Sequence, residues 1–419
     1  MPSPRFLALF LCAAALSGQS RILIRAGRLL DVRTGQEPAD RTIVVAGGRI
    51  AAIAPTSSTP AQPADREIDL RSMTVLPGLI DVHTHLTFTN DFDPYTRLTT
   101  DAVREALNGV RFARITLEAG FTTVRNVGAY GYSDVALRDY IDAGHIPGPH
   151  MEVSGPPLGI TGGHCDNNFL PFEYHATTEG VADGIAAVQQ HVRENIKYGA
   201  DLIKVCATGG VLSKGDDPRA SQYSLDELKA IVADAHRLGR KVAAHAHGAE
   251  GILFSAEAGV DSIEHGSYID EDAIAAMKKH HTYLVPTLYL IDWMRQNPRL
   301  PEMFQKKMLD VSAAVIGNQR KAVAAGVKVA LGTDAAVYPH GQNAHEFEAY
   351  VTHLGMSPLA AIQTGTLNAA ELMGWSDRAG SLEPGKWADI IAVDGDPLAD
   401  IRTLQHVRFV MKSGVVYKQ

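Results

Sequence analysis

Two histidines one residue apart, at the end of an apolar run, are the first residues in this sequence that could do chemistry. His83 and His85 follow Thr74-Val75-Leu76-Pro77-Gly78-Leu79-Ile80, a run that reads as a buried strand. Side chains two apart share a strand face, so Asp81, His83 and His85 lie together. Two neutral imidazoles on one face can grip a divalent cation such as Zn²⁺. Such a pair is common by itself, and the reading depends on partners further along the chain. Five residues qualify: Lys204 in Leu202-Ile203-Lys204-Val205, His245 and His247 in Ala243-Ala244-His245-Ala246-His247-Gly248, His265 after Ile263-Glu264, and Asp334 after Leu331-Gly332-Thr333.

Singly, each has an ordinary explanation. Lys204 can snorkel to solvent, His247 can be a hydrogen-bonded core histidine, and Asp334 can cap a helix. Together, each at or just past the end of a strand-like run, they read as one metal site. An ammonium would repel a cation, so Lys204 is a ligand only if its charge is removed. Carboxylation by CO₂ does this and leaves a carbamate whose two oxygens can bridge two cations.

The elements that must position these groups alternate. Strands are expected at Val75–Asp81, Phe121–Val127, His150–Ser154, Asp201–Cys206, Lys241–Ala246, Ser262–Glu264, Thr282–Pro286 and Val327–Leu331, with helical patterns between them. One helix, Leu225–Leu238, opens on a Ser224-x-x-Glu227 capping box. Eight alternating units predict an α/β fold, a closed (β/α)₈ TIM barrel over residues 76–379, in which all strand ends meet at one mouth. Short strands before and after it, including a hairpin turned at Gly47-Gly48, predict a small β-sandwich domain built from both chain ends, residues 21–75 and 380–419.

The 419 residues are 45% hydrophobic and 21% charged, which suits a large globular core. A net charge of -8 and the lack of any basic-aromatic stripe argue against a nucleic-acid partner. Residues 1–20 have a signal-peptide layout: Arg5, an apolar stretch from Phe6 to Leu16, then small and polar residues. That predicts a secreted or periplasmic mature protein with no membrane segment. Cys12 would leave with the signal. Cys165 and Cys206 read as two ordinary thiols, with a disulfide between them as the alternative in an oxidising compartment.

Several motifs resemble the amidohydrolase superfamily: Pro77-Gly78-Leu79-Ile80-Asp81-Val82-His83-Thr84-His85, Thr161-Gly162-Gly163-His164, Ile203-Lys204, His245-Ala246-His247-Gly248, Glu264-His265-Gly266 and Gly332-Thr333-Asp334. Within it the chain is similar to the binuclear-metal dipeptidase/carboxypeptidase-like branch, which includes prolidase-type enzymes and ochratoxin A amidohydrolases. The resemblance implies two divalent ions, with zinc the expected metal. His83, His85 and Asp334 would hold one, His245 and His265 the other, and carboxylated Lys204 would bridge them. It further implies hydrolysis of an amide bond to an amino acid with a free carboxylate, as in a dipeptide, an N-acyl amino acid or ochratoxin A. The attacking water would be activated between the cations. Asp334 would move the proton, His164 or His247 would donate to the developing oxyanion, and His164, His247, His340 and the Gly209–Lys214 loop would contact the substrate. A homo-oligomer, with an octamer among its forms, is also implied. Two positions depart from the family pattern, Cys165 where glycine is common and Asn126 where Asp is common. A lactonase or deaminase on the same barrel, or a non-catalytic binding protein, are the competing readings. Lys204 argues against a single-metal deaminase, and the complete ligand set against a binding protein.

Overall fold

The computed structural model describes residues 21–91, 93–297 and 301–419, so the expected signal segment, residues 1–20, lies outside the described residues. Two kinds of sheet are built. The chain opens with β1 (Ile22–Leu29), β2 (Ala39–Ala46), β3 (Arg49–Pro55) and β4 (Arg66–Pro77). Gly47 and Gly48, both at positive φ, turn the β2–β3 hairpin, and a side chain on Gly48 would meet the Ser413 carbonyl oxygen at 2.9 Å.

The parallel part follows as β5 (Leu79–Thr84), β6 (Phe121–Asn126), β7 (His150–Val153), β8 (Leu202–Cys206), β9 (Lys241–Ala246), β10 (Ser262–His265) and β11 (Tyr283–Val285). The chain closes with β12 (Ile390–Val393), β13 (Val407–Lys412) and β14 (Val415–Lys418). These last three join the first four in one sheet, ordered β14-β13-β12-β4-β1-β2-β3, so both chain ends share a unit. Ile24, Ile43, Ile68, Val75, Ile390 and Phe409 fill its own apolar core.

β4 corrects an expected boundary. Val75, Leu76 and Pro77 pair antiparallel with Ala392, Ile391 and Ile390, so they belong to the small sheet rather than to the strand that carries His83. The break falls at Gly78, where a side chain would come within 2.1 Å of Thr122 Oγ1. Only glycine lets the chain pass there and begin β5.

β5-β6-β7 and β8-β9-β10-β11 are two parallel sheets. Their flanks are tied by backbone bonds. On one side Leu158 N donates to Lys204 O and Cys206 N to Leu158 O, both at 2.8 Å. On the other, residues 328–334 lie between β11 and β5, with Ala330 N donating to Leu284 O at 3.0 Å and Val82 N to Leu331 O at 2.8 Å. The expected eighth strand, Val327–Leu331, is reduced to this extended segment with a single bridge, Leu284 to Val329. Helices between the strands bury Val188, Val192, Leu228, Ile231 and Ile252 against the sheets. The Ser224–Glu227 capping box is formed as expected, with Glu227 N donating to Ser224 Oγ and Ser224 N to Glu227 Oε2. Among the described residues no helix is long and apolar enough to cross a membrane.

Candidate metal centre

The strand ends converge as the spacing predicts. Imidazole nitrogens of His83 and His85 and a carboxylate oxygen of Asp334 lie within 4.8 Å of one another, and so do nitrogens of His245, His247 and His265. The two groups adjoin, since the rings of His83 and His265 are 5.1 Å apart. Lys204, on β8, is buried beside them. All but His247 of these residues, together with His164, line a cavity of about 200 Å³ whose walls include Phe88, Tyr130 and Leu212. His247 opens instead on a smaller chamber shared with His265 and walled by Leu290 and Met294.

The rear nitrogens show what the donor set suits. His83 Nδ1 donates to Glu264 Oε2 at 2.7 Å, and His85 Nδ1 to Gly128 O at 3.3 Å. Thr287 Oγ1 donates to Pro286 O, so it accepts from His265 Nδ1 at 2.7 Å. His245 Nε2 donates to Gly209 O at 3.3 Å. In each ring the proton is placed at the back, and the remaining nitrogen keeps a lone pair for a cation. Four neutral imidazoles, a carboxylate and a buried amine therefore fit a pair of divalent ions.

Electrostatics agree with that fit at every ligand but His83, where burial would lower the ring but Asp334 and Glu264 outweigh it and raise it above its usual value. Burial lowers Lys204 to about 8, which favours the neutral amine that CO₂ attacks. Burial, with neighbouring imidazoles adding to it, holds His245 and His265 well below their usual value. Burial alone would raise Asp334, but His83 and His85 outweigh it and hold its carboxyl well below the usual range. Two of the residues are also strained. His265 and Asp334 sit at φ 70 and 60, a left-handed conformation that costs a non-glycine residue and is held here by surrounding bonds. Asp334 N donates to His83 O at 2.8 Å, and Asp81 accepts from Thr333 Oγ1 at 2.6 Å and Asn343 Nδ2 at 2.7 Å. Asp81 thus shapes the turn that presents Asp334.

Several residues that build the site carry no spacing signal. Arg125, from β6, donates to Val82 O at 2.6 Å and to Glu264 Oε1 at 2.8 Å. Glu264 is fully buried, and although burial would raise it, the Arg125 guanidinium and His83 bring it down to about 2. Arg125, Glu264 and Thr287 stabilise the centre from behind. In the sequence Arg125 and Glu264 stand out as charges inside otherwise apolar or β-branched strands, in the family-like runs Thr122-Thr123-Val124-Arg125 and Glu264-His265-Gly266, but nothing there pairs them. Asn126 accepts from Leu86 N at 2.6 Å and so orders the turn after His85.

Two expectations need correction. His340 does not line the cavity: its Nε2 donates to Phe88 O at 3.0 Å and its ring stacks on Phe112 at 4.2 Å, behind the wall. Cys165 and Cys206 are not two thiols but a disulfide. Backbone bonds between Leu158 and β8, and packing of Gly159 against Cys165, bring their Cα atoms to 6.1 Å, within disulfide reach. The Gly209–Lys214 loop reaches the cavity through Leu212.

Comparison with known proteins bears on this geometry. The model of the amidohydrolase family matches residues 74–417. Ochratoxinase of Aspergillus niger is 37% identical over 369 residues, covering 82% of this chain and 75% of that protein. A solved Xaa-Pro dipeptidase with methionine bound in its active site superposes with a TM-score of 0.90 at 38% identity, covering 96% of this chain and 100% of that one. The A. niger ochratoxinase structure gives 0.84 at 31% identity, covering 96% of each chain.

Proposed function

Since the chain belongs to the amidohydrolase family, we propose that it is a binuclear metal-dependent hydrolase that cleaves an amide bond to an amino acid with a free carboxylate. The observation that carries this reading is the ring of rear-bonded imidazoles converging with Asp334 and Lys204 at the cavity floor. Relatives point to the bond: one solved neighbour is a Xaa-Pro dipeptidase and another an ochratoxinase. Dipeptides, N-acyl amino acids and ochratoxin A are the substrate classes we propose.

His83, His85 and Asp334 would hold one divalent ion, His245 and His265 the other, and carboxylated Lys204 would lie between them. When bound, the pair, zinc in this reading, supplies Lewis-acid polarisation and acidifies water at neutral pH. This chain's residues do the rest. Asp334 takes the proton of the attacking water on a carboxylate oxygen and hands it to the leaving nitrogen, which departs poorly without it. His164, on the cavity wall, is the group placed to bond the reacting amide, while His247, the other candidate for that role, opens on the neighbouring chamber. Glu264 and Arg125 keep His83 aimed. Phe88, Tyr130 and Leu212 exclude water and meet the substrate's apolar parts.

In the same reading the two parallel sheets close into a (β/α)₈ barrel over residues 78–379, with the sandwich domain made by residues 21–77 and 380–419. Residues 1–20 direct export and are removed, and the mature protein acts outside the cytoplasm as a homo-oligomer. The test is a screen of zinc-loaded protein against dipeptides and N-acyl amino acids, ochratoxin A included. Release of free amino acid rather than ammonia supports the reading. A metal-loaded protein inert on the whole panel overturns it.

A further inference from the structure

One wall of the cavity carries bonding capacity that the fold does not use. Glu105 stands in the first turn of the helix Ala102–Glu118 and is only 4% exposed, yet it lines the cavity. Its Oε2 accepts from Tyr130 N at 3.3 Å and Ser133 Oγ at 3.1 Å, while its Oε1 meets no donor among the described residues. Asn108, three residues on along the same helix face, also lines the cavity, and its amide makes no bond among the described residues. The charges at this wall have one sign. Burial, with Asp134 and Glu179 adding to it, raises Glu105 to about 7. Asp91 adds another carboxylate to the lining. Among the described residues, Lys204 is the one lysine or arginine in the lining, and it belongs to the metal centre. Ordering of the Tyr130 turn uses Oε2 alone, and a glutamine carbonyl would serve it. What Glu105 lacks is a positive partner, which would favour its ionised form.

We infer that Glu105, with Asn108 beside it, is a specificity-determining residue that binds an ammonium or guanidinium group carried by the substrate away from its scissile amide. This deepens the functional reading above and rests on it for the amide. The contacts run outward from the metal centre. The His85 ring stacks on Phe88 at 5.4 Å, Phe88 lies 5.4 Å from Tyr130, and Glu105 bonds the backbone of Tyr130. Two rings thus separate His85 from the wall that carries Glu105. That spacing suits a charge at the end of a side chain rather than one beside the reacting carbonyl. A lysine or arginine side chain fits, with its methylenes along Phe88 and Tyr130 and its protons on Glu105 Oε1 and the Asn108 side-chain carbonyl. The charged residue stands on one side of the scissile bond or the other, and the two cases are separable.

Matched substrates carry the test. Zinc-loaded protein is assayed at pH 8 on lysyl-alanine against norleucyl-alanine, and on alanyl-lysine against alanyl-norleucine. Norleucine keeps the apolar stem of lysine and loses its charge. In one of the two pairs lysine should be favoured about 10- to 100-fold in kcat/KM, the worth of a charge-assisted hydrogen bond. That pair tells which side of the amide the wall reads. Glu105→Gln should bring its ratio to about one, whereas a role in folding alone would lower both substrates together. Norleucine equal to lysine in both pairs, or a lysine preference that survives Glu105→Gln, overturns the inference. A second readout needs no turnover. In titration calorimetry of the zinc-loaded protein, hexylammonium should bind about tenfold or more tightly than 1-hexanol, and Glu105→Gln should remove that difference. Equal binding of the two probes by the parent protein overturns the inference as well. A protein inert on every peptide would remove the functional reading, while the calorimetry would still decide the cation subsite.

Discussion

The floor of the cavity and its rim are built by opposite means. On the floor, His83, Arg125 and Glu264 are almost wholly buried, and the side-chain bonds that join them run from strand to strand. The rim comes from loops. Phe88 follows the turn after His85, Tyr130 the end of β6, and Leu212 a loop beyond β8, and all three are half-buried. A rigid scaffold that carries adjustable loops can keep one chemistry while its substrate changes. A Xaa-Pro dipeptidase and an ochratoxinase, both on similar folds, fit that division.

If the division holds, damage should grade from floor to rim. The largest effect is expected at Asp334. Asp334→Asn should retain much of the bound metal, by elemental analysis, yet lose about 10²- to 10⁴-fold in kcat, the usual worth of a positioned general acid-base. Near-parental turnover would remove the residue from proton transfer. Next is Glu264→Gln, which leaves the buried Arg125 guanidinium without its partner. Breaking a buried pair in this way costs about 3–5 kcal/mol, to be read by urea denaturation. A much smaller loss would mean that the floor is not held by this pair.

Glu105 sits at the transition. It lines the cavity, accepts from Tyr130 N at 3.3 Å and Ser133 Oγ at 3.1 Å, and burial raises it to about 7. The unfolded chain releases that proton near 4.3. Between the two values the folded protein binds more protons, so folding is progressively disfavoured as pH rises from about 4.3 to about 7. Glu105→Gln cannot titrate. Its stability advantage over the parent should therefore grow across that window, to on the order of 4 kcal/mol above pH 7. Thermal melts from pH 4 to 8 would show this, and a constant difference would refute it. The smallest effect belongs to the rim. Leu212→Ala should leave folding nearly unchanged and shift preference between large and small apolar substrates by about tenfold, measured as a ratio of kcat/KM values. A global loss of activity instead would move Leu212 to the floor.

The floor was also the more legible part of the sequence. His83 and His85 announce themselves because a strand's two-residue period fixes their common face. Lys204, His245 and His265 do so because each interrupts or ends an apolar run. The bonds behind them were not legible. Arg125 and Glu264 lie on different strands far apart in sequence, and nothing local says that one buried charge will neutralise the other. The end of β4 is hidden because an apolar run does not reveal which of two sheets it pairs with, and only the return of β12 decides this. The disulfide depends on Leu158 bonding to β8, a long-range contact. His340 looked available because its Tyr-Pro-His-Gly setting reads as loop, while in the fold its ring is covered by Phe112.

One measurement reaches the central claim directly: anomalous diffraction across the zinc edge, on crystals grown with zinc and bicarbonate. The account predicts two peaks per chain, one beside His83, His85 and Asp334 and one beside His245 and His265, with density extending from Lys204 Nζ between them. A single peak, or an unmodified Lys204 turned away from fully loaded metal, would contradict it.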